Sequence, residues 1–106
     1  MPQRRLYVNF ETVGYVYILA SKTAGTLYVG VTSDLIKRVG QHKNEIYPGF
    51  TQEHKIHKLV YFQEFGSIEK AIEFEKKLKK WKRAWKIALI EKENPKWEDL
   101  YPQLCR

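Results

Sequence analysis

The chain has 106 residues, the size of one domain of about 100–150 residues. Hydrophobic residues make up 43% and aromatic residues 14% of the sequence, which is enough for a packed core and excludes global disorder. The 19 basic and 12 acidic residues give a net charge of +7. An excess of positive charge on so small a body predicts a polyanionic partner, which is nucleic acid, an acidic lipid surface or an acidic protein.

Cysteine usage and hydropathy further limit the class of protein to which this chain can belong. Cys105 is the only cysteine, which excludes an internal disulfide and a cysteine-based zinc site. Arg4 and Arg5 are followed by no apolar signal-peptide stretch. No apolar run approaches the roughly 20 residues of a membrane span. We therefore expect a cytoplasmic protein with no membrane partner.

Two β-strands open the predicted domain. Residues 15–20 and 26–32 are rich in β-formers and are joined by a short loop that contains a glycine, a pattern typical of a β-hairpin. Alternation puts Tyr17 on one face of the first strand and Val16 and Ile18 on the other. In the second strand, Tyr28 likewise lies opposite the branched apolar residues.

Helices and a third strand follow. Ser33 or Asp34 is expected to cap a helix that runs to about Asn44. In the third strand, Leu59 and Tyr61 are expected to share one face. The later predicted elements are a loop over 46–55, a strand over 58–65, a helix over 68–81 capped by Ser67, a helix over 83–92 and a short segment over 97–104.

This order of elements, ββαβαα, predicts a small α/β (α+β) domain. Its sheet should have three mainly antiparallel strands flanked by helices. Residues 1–13 have a weak pattern and are expected to form an N-terminal arm, and residues 14–106 are expected to form a single domain.

Glu75 is an unusual residue for its position. It falls three or four residues from Ala71, Ile72 and Leu78, so it lies on the face of its helix that should meet the sheet. A buried carboxylate needs a cation or strong hydrogen bonds, because desolvation of an unpaired charge is costly. Glu75 is therefore either a functional carboxylate or the partner of a lysine such as Lys79.

Polar side chains on the first helix and in the hairpin could also carry chemistry. Arg38 and His42 are four residues apart and share a helix face. An arginine can clamp a phosphate, and a histidine beside it can transfer a proton. The alternative is a solvated helix face. Tyr17 and Tyr28 lie on neighbouring strands, where tyrosine is also a common structural residue.

A basic stretch covers residues 76–86 and has seven basic residues, no acidic residue and two tryptophans at helical spacing. Its lysines could contact phosphates, with an affinity that would fall steeply with salt. The alternative is a solvated helix whose tryptophans, Trp81 and Trp85, dock in the core.

Taken in order, these positions resemble the GIY-YIG nuclease family, and in particular its small stand-alone bacterial members. Tyr15-Val16-Tyr17 is similar to the first motif, and Tyr28-Val29-Gly30 is similar to the second. Arg38 and His42 match the arginine and histidine of the family's helix, and Glu75 matches its metal-binding glutamate. The resemblance runs from about Tyr15 to about Ile90.

The resemblance implies an endonuclease that hydrolyses phosphodiester bonds in DNA, with repair or recombination as a pathway it would suit. Glu75 would hold one divalent ion, Mg²⁺ or Mn²⁺, and Arg38 would stabilise the phosphate. Tyr17 would be the general base or would position the attacking water, with His42, and Tyr28 could share that role. No small-molecule cofactor is expected. The nucleic-acid backbone would be guided by Lys37, Lys79, Lys80, Lys82 and Arg83.

The sequence departs from the family pattern at two points. Tyr15-Val16 replaces the Gly-Ile that names the first motif. Val31 follows Gly30, where some relatives place a lysine, and this favours Tyr17 over Tyr28 as the base. Asn94 is the nearest match to an asparagine that recurs in parts of the family.

Other functions are compatible with the same residues. One is a module of the same fold that binds nucleic acid without cutting it, and another is a domain that meets an acidic protein. A binding module would be free to lose Glu75 or Arg38, and both are present. With no added DNA-binding domain expected, target choice would come from this domain or from an unidentified protein partner.

Overall fold

The computed structural model describes residues 12–44 and 55–105 of the chain. Within these ranges the predicted order ββαβαα is confirmed, and a last short helix follows it. The elements are β1 (Gly14–Ala20), β2 (Leu27–Thr32), α1 (Leu35–Lys43), β3 (Lys58–Phe65), α2 (Ile68–Lys80), α3 (Arg83–Glu93) and α4 (Tyr101–Leu104). None of the described helices is long and apolar enough to cross a membrane.

The three strands form one antiparallel sheet in the order β2-β1-β3. The central strand β1 is covered on both faces, and every side chain from Val16 to Ala20 is fully buried. This explains why β1 reads as a nearly continuous apolar run rather than an alternation of apolar and polar residues.

Each face of the sheet carries its own apolar core. On one face, α2 contributes Ala71 and Leu78 to a core with Val16 and Ile18. On the other face, α1 packs with Leu35 and Val39 against a core that contains Tyr17. The prediction that Tyr17 and Tyr28 lie opposite the branched residues of their strands is therefore confirmed.

A β-bulge in β3 makes one prediction wrong. The register pairs Ile18 with Tyr61 and Leu19 with Leu59, so Val60 is an extra residue. Leu59 consequently packs in the Tyr17 core and Tyr61 in the opposite core, although simple alternation put them on one face.

Helix ends follow the predicted capping residues closely. The Asp34 carboxylate accepts a hydrogen bond from the backbone N–H of Lys37 at 3.2 Å, and the Ser67 hydroxyl accepts one from Lys70 at 3.2 Å. Thr12 belongs to the folded body, since its carbonyl accepts the N–H of Ile68. The predicted arm, apart from residues 12 and 13, and the predicted loop, apart from residue 55, lie outside the described residues.

The C-terminal segment is fastened to the sheet through Asp99. Its carboxylate accepts the backbone N–H groups of Leu59 and Tyr101, each at 3.1 Å, and pairs with Lys43 of α1 at 2.5 Å. The carbonyl of Leu59 accepts the N–H of Leu100 at 2.8 Å. Asp99 thus joins β3, α1 and the start of α4 at the outer side of β3.

Removal of the Asp99 carboxylate should weaken the whole fold. Burial by itself would raise the pKa of Asp99, but hydrogen bonds from Lys43, Tyr101 and Leu59, with the charge of Lys43, hold this pKa below its ordinary value. We expect Asp99→Ala to cost about 1–3 kcal/mol in the free energy of unfolding, since two backbone N–H groups lose their acceptor. Urea unfolding at pH 7 measures this cost.

The same carboxylate should contribute to acid sensitivity. Because the folded pKa is depressed, its contribution is present above the unfolded pKa and is lost as pH falls through the folded value. Wild type should therefore lose more stability than Asp99→Asn on acidification below about pH 4. Equal acid profiles of the two proteins would contradict the assigned role, and Glu98→Gln, at an exposed neighbouring position, serves as the control.

Candidate active site

The first site residue, Tyr17, is buried beneath a glycine of the neighbouring strand. The register pairs Tyr17 with Gly30, and a Cβ atom at Gly30 would lie 2.4 Å from the ring and hydroxyl atoms of Tyr17. A side chain at position 30 therefore cannot coexist with the observed tyrosine. The second motif therefore needs a glycine at this position because any side chain there would occupy the space of the tyrosine of the first motif.

Tyr17, Tyr28 and His42 form one aromatic cluster on the α1 side of the sheet. The Tyr17 hydroxyl oxygen lies 3.1 Å from Nε2 of His42, in a buried hydrogen bond that joins β1 to α1. The Tyr28 ring centre is 5.2 Å from the His42 ring and 6.4 Å from the Tyr17 ring. Tyr17 is fully buried, whereas Tyr28 is half-buried, so Tyr28 is the tyrosine with access to solvent.

The electrostatic surroundings of His42 favour its neutral form. Burial lowers the pKa of His42 below 6.5, and the charges of Arg38 and His57 lower it further. A neutral ring that carries its proton on Nδ1 presents Nε2 as an acceptor for the Tyr17 hydroxyl. The pair can therefore hold or exchange one proton between a phenol and an imidazole.

Arg38 and Lys37 border a polar hollow at the start of α1. The hollow has a volume of about 320 Å³ and is lined by Thr32, Ser33, Asp34 and Gln41 as well as these two cations. Arg38 lies one helical turn before His42, as the sequence predicts, and its charge acts on that ring. An anion in the hollow would meet Arg38 beside the Tyr17–His42 pair.

Glu75 is buried, as its place on the apolar stripe predicts, but it belongs to the other face of the sheet. The residue is 7% exposed, and its carboxylate pairs with Nζ of Lys79 at 2.6 Å. Its helix, α2, packs on the core of Val16 and Ile18, whereas Tyr17 and His42 lie on the α1 side. The described contacts therefore join Tyr17, Tyr28, His42 and Arg38 and leave Glu75 outside that cluster.

The sheet lies between the two halves of the candidate site. β2 is an edge strand of the sheet, and it carries Tyr28 toward one core and Val29 toward the other. A long polyanion that crosses this edge would contact α1 on one side and α2 on the other.

A divalent ion is compatible with Glu75 under one condition. No group of three or more metal-ligating side chains occurs among residues 12–44 and 55–105, so the protein alone offers few ligands. Mg²⁺ commonly binds through one or two carboxylates and completes its shell with water and substrate phosphates. Glu75 fits that mode once Lys79 moves away from its carboxylate.

The predicted backbone-binding residues lie around the corner between α2 and α3. Lys79, Lys80, Lys82 and Arg83 are all exposed, and so is Lys37 on α1. Arg83 also has a structural contact, because its guanidinium donates to the carbonyls of Ala24 and Gly25 at 2.5 and 2.7 Å. The exposed lysines fit both interpretations of the basic stretch. Trp81 is half-buried, but Trp85 is 55% exposed, so the expectation that both tryptophans dock in the core is wrong for Trp85.

Two further polar residues act in ways that the sequence pattern did not indicate. His57 influences the pKa of His42 from the segment before β3, and no local spacing relates the two positions. Asn94 has a local role, since its amide donates to the carbonyls of Val60 and Glu98 at 3.1 and 2.9 Å. Asn94 thereby satisfies the carbonyl at the β-bulge.

A sheet that carries the two motif tyrosines, with an arginine and a histidine on the helix after the hairpin, defines a nuclease-type domain. The family model for the GIY-YIG catalytic domain matches residues 13–88. The chain therefore belongs to the GIY-YIG family.

Known proteins of similar length support this assignment. A UPF0213 protein of Clostridium perfringens is 37% identical over 87 residues, which cover 82% of this chain and 92% of that protein. A UPF0213 protein of Syntrophus aciditrophicus is 37% identical over 82 residues, covering 76% of this chain and 92% of that protein. The solution NMR structure of a UPF0213 protein of Bacillus halodurans is similar in fold, with a TM-score of 0.52, 29% identity, and coverage of 82% of this chain and 92% of that one.

The electrostatic link between Arg38 and His42 can be measured directly. Replacement of Arg38 by Gln should raise the pKa of His42 toward 6.5, because a positive charge that disfavours the imidazolium is removed. NMR titration of the histidine Cε1–H signals checks this shift. Lys37→Gln, which removes the exposed cation next to Arg38 on α1, is the control and should shift the titration less than Arg38→Gln.

The depressed pKa also fixes the sign of a stability change. The unfolded state binds the proton more readily than the folded state, so stability should fall as pH decreases from about 6.5 through the folded pKa. In Arg38→Gln this loss should be smaller. An unchanged His42 titration in that variant would show that the two side chains do not interact in solution.

Proposed function

We propose that this protein is a metal-dependent endonuclease that hydrolyses phosphodiester bonds in DNA. The observation that carries the proposal is the buried hydrogen bond between Tyr17 and His42, set beside the half-buried ring of Tyr28. A protein that only bound nucleic acid would need cations at its surface but would not need a tyrosine–histidine pair held in its interior. Membership of the GIY-YIG family supports this reaction class.

Proton transfer is assigned to the aromatic cluster. Hydrolysis requires that the attacking water lose a proton, and neutral His42 supplies an acceptor near physiological pH. Tyr17 is fully buried, so we assign it to act with His42 as the proton-holding pair. Sequence reasoning favoured Tyr17 as the residue that meets the water, but complete burial keeps Tyr17 from it, so we place the half-buried Tyr28 against the water instead. A tyrosine has a reference pKa of about 10, so its deprotonation needs help from nearby positive charge.

Phosphate recognition is assigned to Arg38 with Lys37. Both line the polar hollow of about 320 Å³ at the start of α1. A guanidinium can donate two parallel hydrogen bonds to a phosphate and stabilise the charge that builds up as water adds to phosphorus. Arg38 lies one turn from His42, which brings the phosphate near the proton-holding pair.

Metal binding is assigned to Glu75. A divalent ion, Mg²⁺ or Mn²⁺, would offset charge on the scissile phosphate and on the leaving 3′ oxygen. The single carboxylate and its pairing with Lys79 imply that affinity for the ion is weak until the phosphates of the substrate are present. Lys79 would then be released to contact the DNA backbone.

Cleavage assays on wild type and Glu75→Gln test this function. The panel would contain plasmid, linear, branched and single-stranded DNA, each with Mg²⁺, with Mn²⁺ and with chelator. Loss of the ion's transition-state contribution is worth several kcal/mol, so we expect cleavage by Glu75→Gln to fall by about 10²–10³-fold. Glu73→Gln, at an exposed position on the same helix, should cut like wild type.

The same panel separates the enzyme from a binding module. Binding of DNA without cutting under every metal, unchanged by Glu75→Gln, would contradict the nuclease and favour a nucleic-acid-binding role. In that outcome Glu75 would be a structural partner of Lys79. Thermal unfolding of both variants shows whether any loss of activity reflects loss of fold.

Competition between Lys79 and the ion gives a separate prediction. Lys79→Gln removes the cation that occupies the Glu75 carboxylate, so the concentration of Mn²⁺ needed for half-maximal binding should decrease. Electron paramagnetic resonance of free Mn²⁺ measures binding without any need for cleavage. Lys76→Gln, exposed on the same helix, is the control. A Mn²⁺ affinity that is equal in Lys79→Gln and wild type would exclude such competition.

A further inference from the structure

An open cleft lies between the loop that joins β1 to β2 and the beginning of α3. It has a volume of about 520 Å³, and its lining contains three cations, Lys22, Arg83 and Lys86, and no acidic residue. Within residues 12–44 and 55–105, no carboxylate pairs with any of the three. Three like charges gathered without a counter-charge repel one another, and an anionic ligand would relieve this repulsion.

The cleft has a fixed wall. Arg83 donates two hydrogen bonds to the carbonyls of Ala24 and Gly25, which holds the loop against α3. Ala24 has a positive φ of 52°, so the loop has a defined turn rather than an extended course. Carbonyl acceptors are neutral, so the guanidinium keeps its full charge toward the cleft.

An exposed tryptophan adjoins the same helix end. Trp85 is 55% exposed, the largest exposed fraction among the big apolar side chains of the described residues. Its ring packs edge-on against Trp81 at 6.2 Å, and Nζ of Lys82 lies 5.7 Å from its centre. Trp81 thus supports the ring from one side and leaves an aromatic surface within a cluster of cations.

The cleft is connected to the proposed metal-binding residue. Nζ of Lys86, which lines the cleft, donates to the carbonyl of Lys79 at 3.4 Å, and the side chain of Lys79 pairs with Glu75. Contacts of Lys86 and Lys79 therefore link the cleft to Glu75. A nucleic-acid strand bound near Glu75 has a continuous row of cations to follow toward the cleft.

We propose that this cleft and Trp85 form a subsite for a single-stranded segment of nucleic acid beside the position of cutting. Lys22, Arg83 and Lys86 would bind its phosphates, and an unpaired base would stack on Trp85. Charge supplies attraction to any nucleic acid, whereas a tryptophan ring can only be stacked by a base that is not already covered in a duplex. This inference rests on the proposed function, which supplies nucleic acid as the substrate. It adds that the bound segment is single-stranded.

Binding measured in chelator tests the subsite without cleavage. Fluorescence anisotropy would compare a labelled single-stranded oligonucleotide with the duplex of the same sequence. We expect Trp85→Ala to weaken single-strand binding by about 5- to 150-fold, the range for loss of one stacked base, and duplex binding by less than about twofold. Trp85→Phe keeps an aromatic face and should retain most of the single-strand affinity.

Two matched controls separate stacking from charge. Ile36→Ala removes an exposed apolar side chain, 45% exposed, from α1 and should change neither affinity. The double variant Lys22→Gln, Lys86→Gln should weaken the binding of both ligands. For the single strand, the slope of log affinity against log salt concentration should become about 1.4 smaller in magnitude, since two phosphate contacts are lost. The single strand should quench the tryptophan fluorescence of wild type, and this quenching should be largely lost in Trp85→Phe.

The outcomes distinguish this inference from the proposed function. Equal single-strand affinities of Trp85→Ala and wild type, or equal weakening of single-strand and duplex binding, would overturn the subsite. Parallel cleavage with Mg²⁺ reports on the nuclease separately. Selective loss of single-strand binding in Trp85→Ala without cleavage by wild type would support the subsite and contradict the nuclease.

Discussion

The central strand is enclosed on both faces, so the hydroxyl of Tyr17 must find its hydrogen-bond partner inside the protein. That requirement fixes several other residues. His42 has to lie on the inner face of α1 to bond with the hydroxyl, and position 30 has to be glycine to make room for the ring. Burial in turn keeps His42 neutral, which allows it to accept a hydrogen bond. One buried polar atom thereby links the first motif, the second motif and the helix that follows them.

The second half of the candidate site obeys a different constraint. Glu75 is also nearly buried, but its counter-charge, Lys79, comes from its own helix one turn later. An exchangeable lysine satisfies the carboxylate in the free protein without help from the rest of the fold. The hydrogen bond of Tyr17 therefore depends on tertiary structure, whereas the ion pair of Glu75 forms within a single helix. The sheet lies between the two sides, so a ligand has to pass around a strand edge such as that of β2 to engage both.

Sequence patterns predicted the elements that are determined by residues close together in the chain. The strand over 58–65 and the caps at Asp34 and Ser67 were predicted, because alternation and capping depend on near neighbours. The bulge was not predicted, because Val60 is accommodated by an amide from Asn94, 34 positions further along the chain. The influence of His57 on His42 was missed for the same reason. The burial of Glu75 was inferred correctly from its helical stripe, since an apolar face identifies a carboxylate that is out of place.

Mutual repulsion in the lysine-rich corner is relieved mainly by groups other than carboxylates, with the Lys79–Glu75 pair as the exception among the described residues. Lys77, Lys79 and Lys80 occupy the last turn of α2, where the carbonyl end of the helix carries partial negative charge and favours cations. Lys82 lies over the Trp85 ring, and Arg83 donates to loop carbonyls. These contacts use dipoles and an aromatic face, none of which neutralises a formal charge. Among the described residues, Lys79 is the one cation of this corner that is held in a salt bridge, so a phosphate can meet the others without breaking an ion pair.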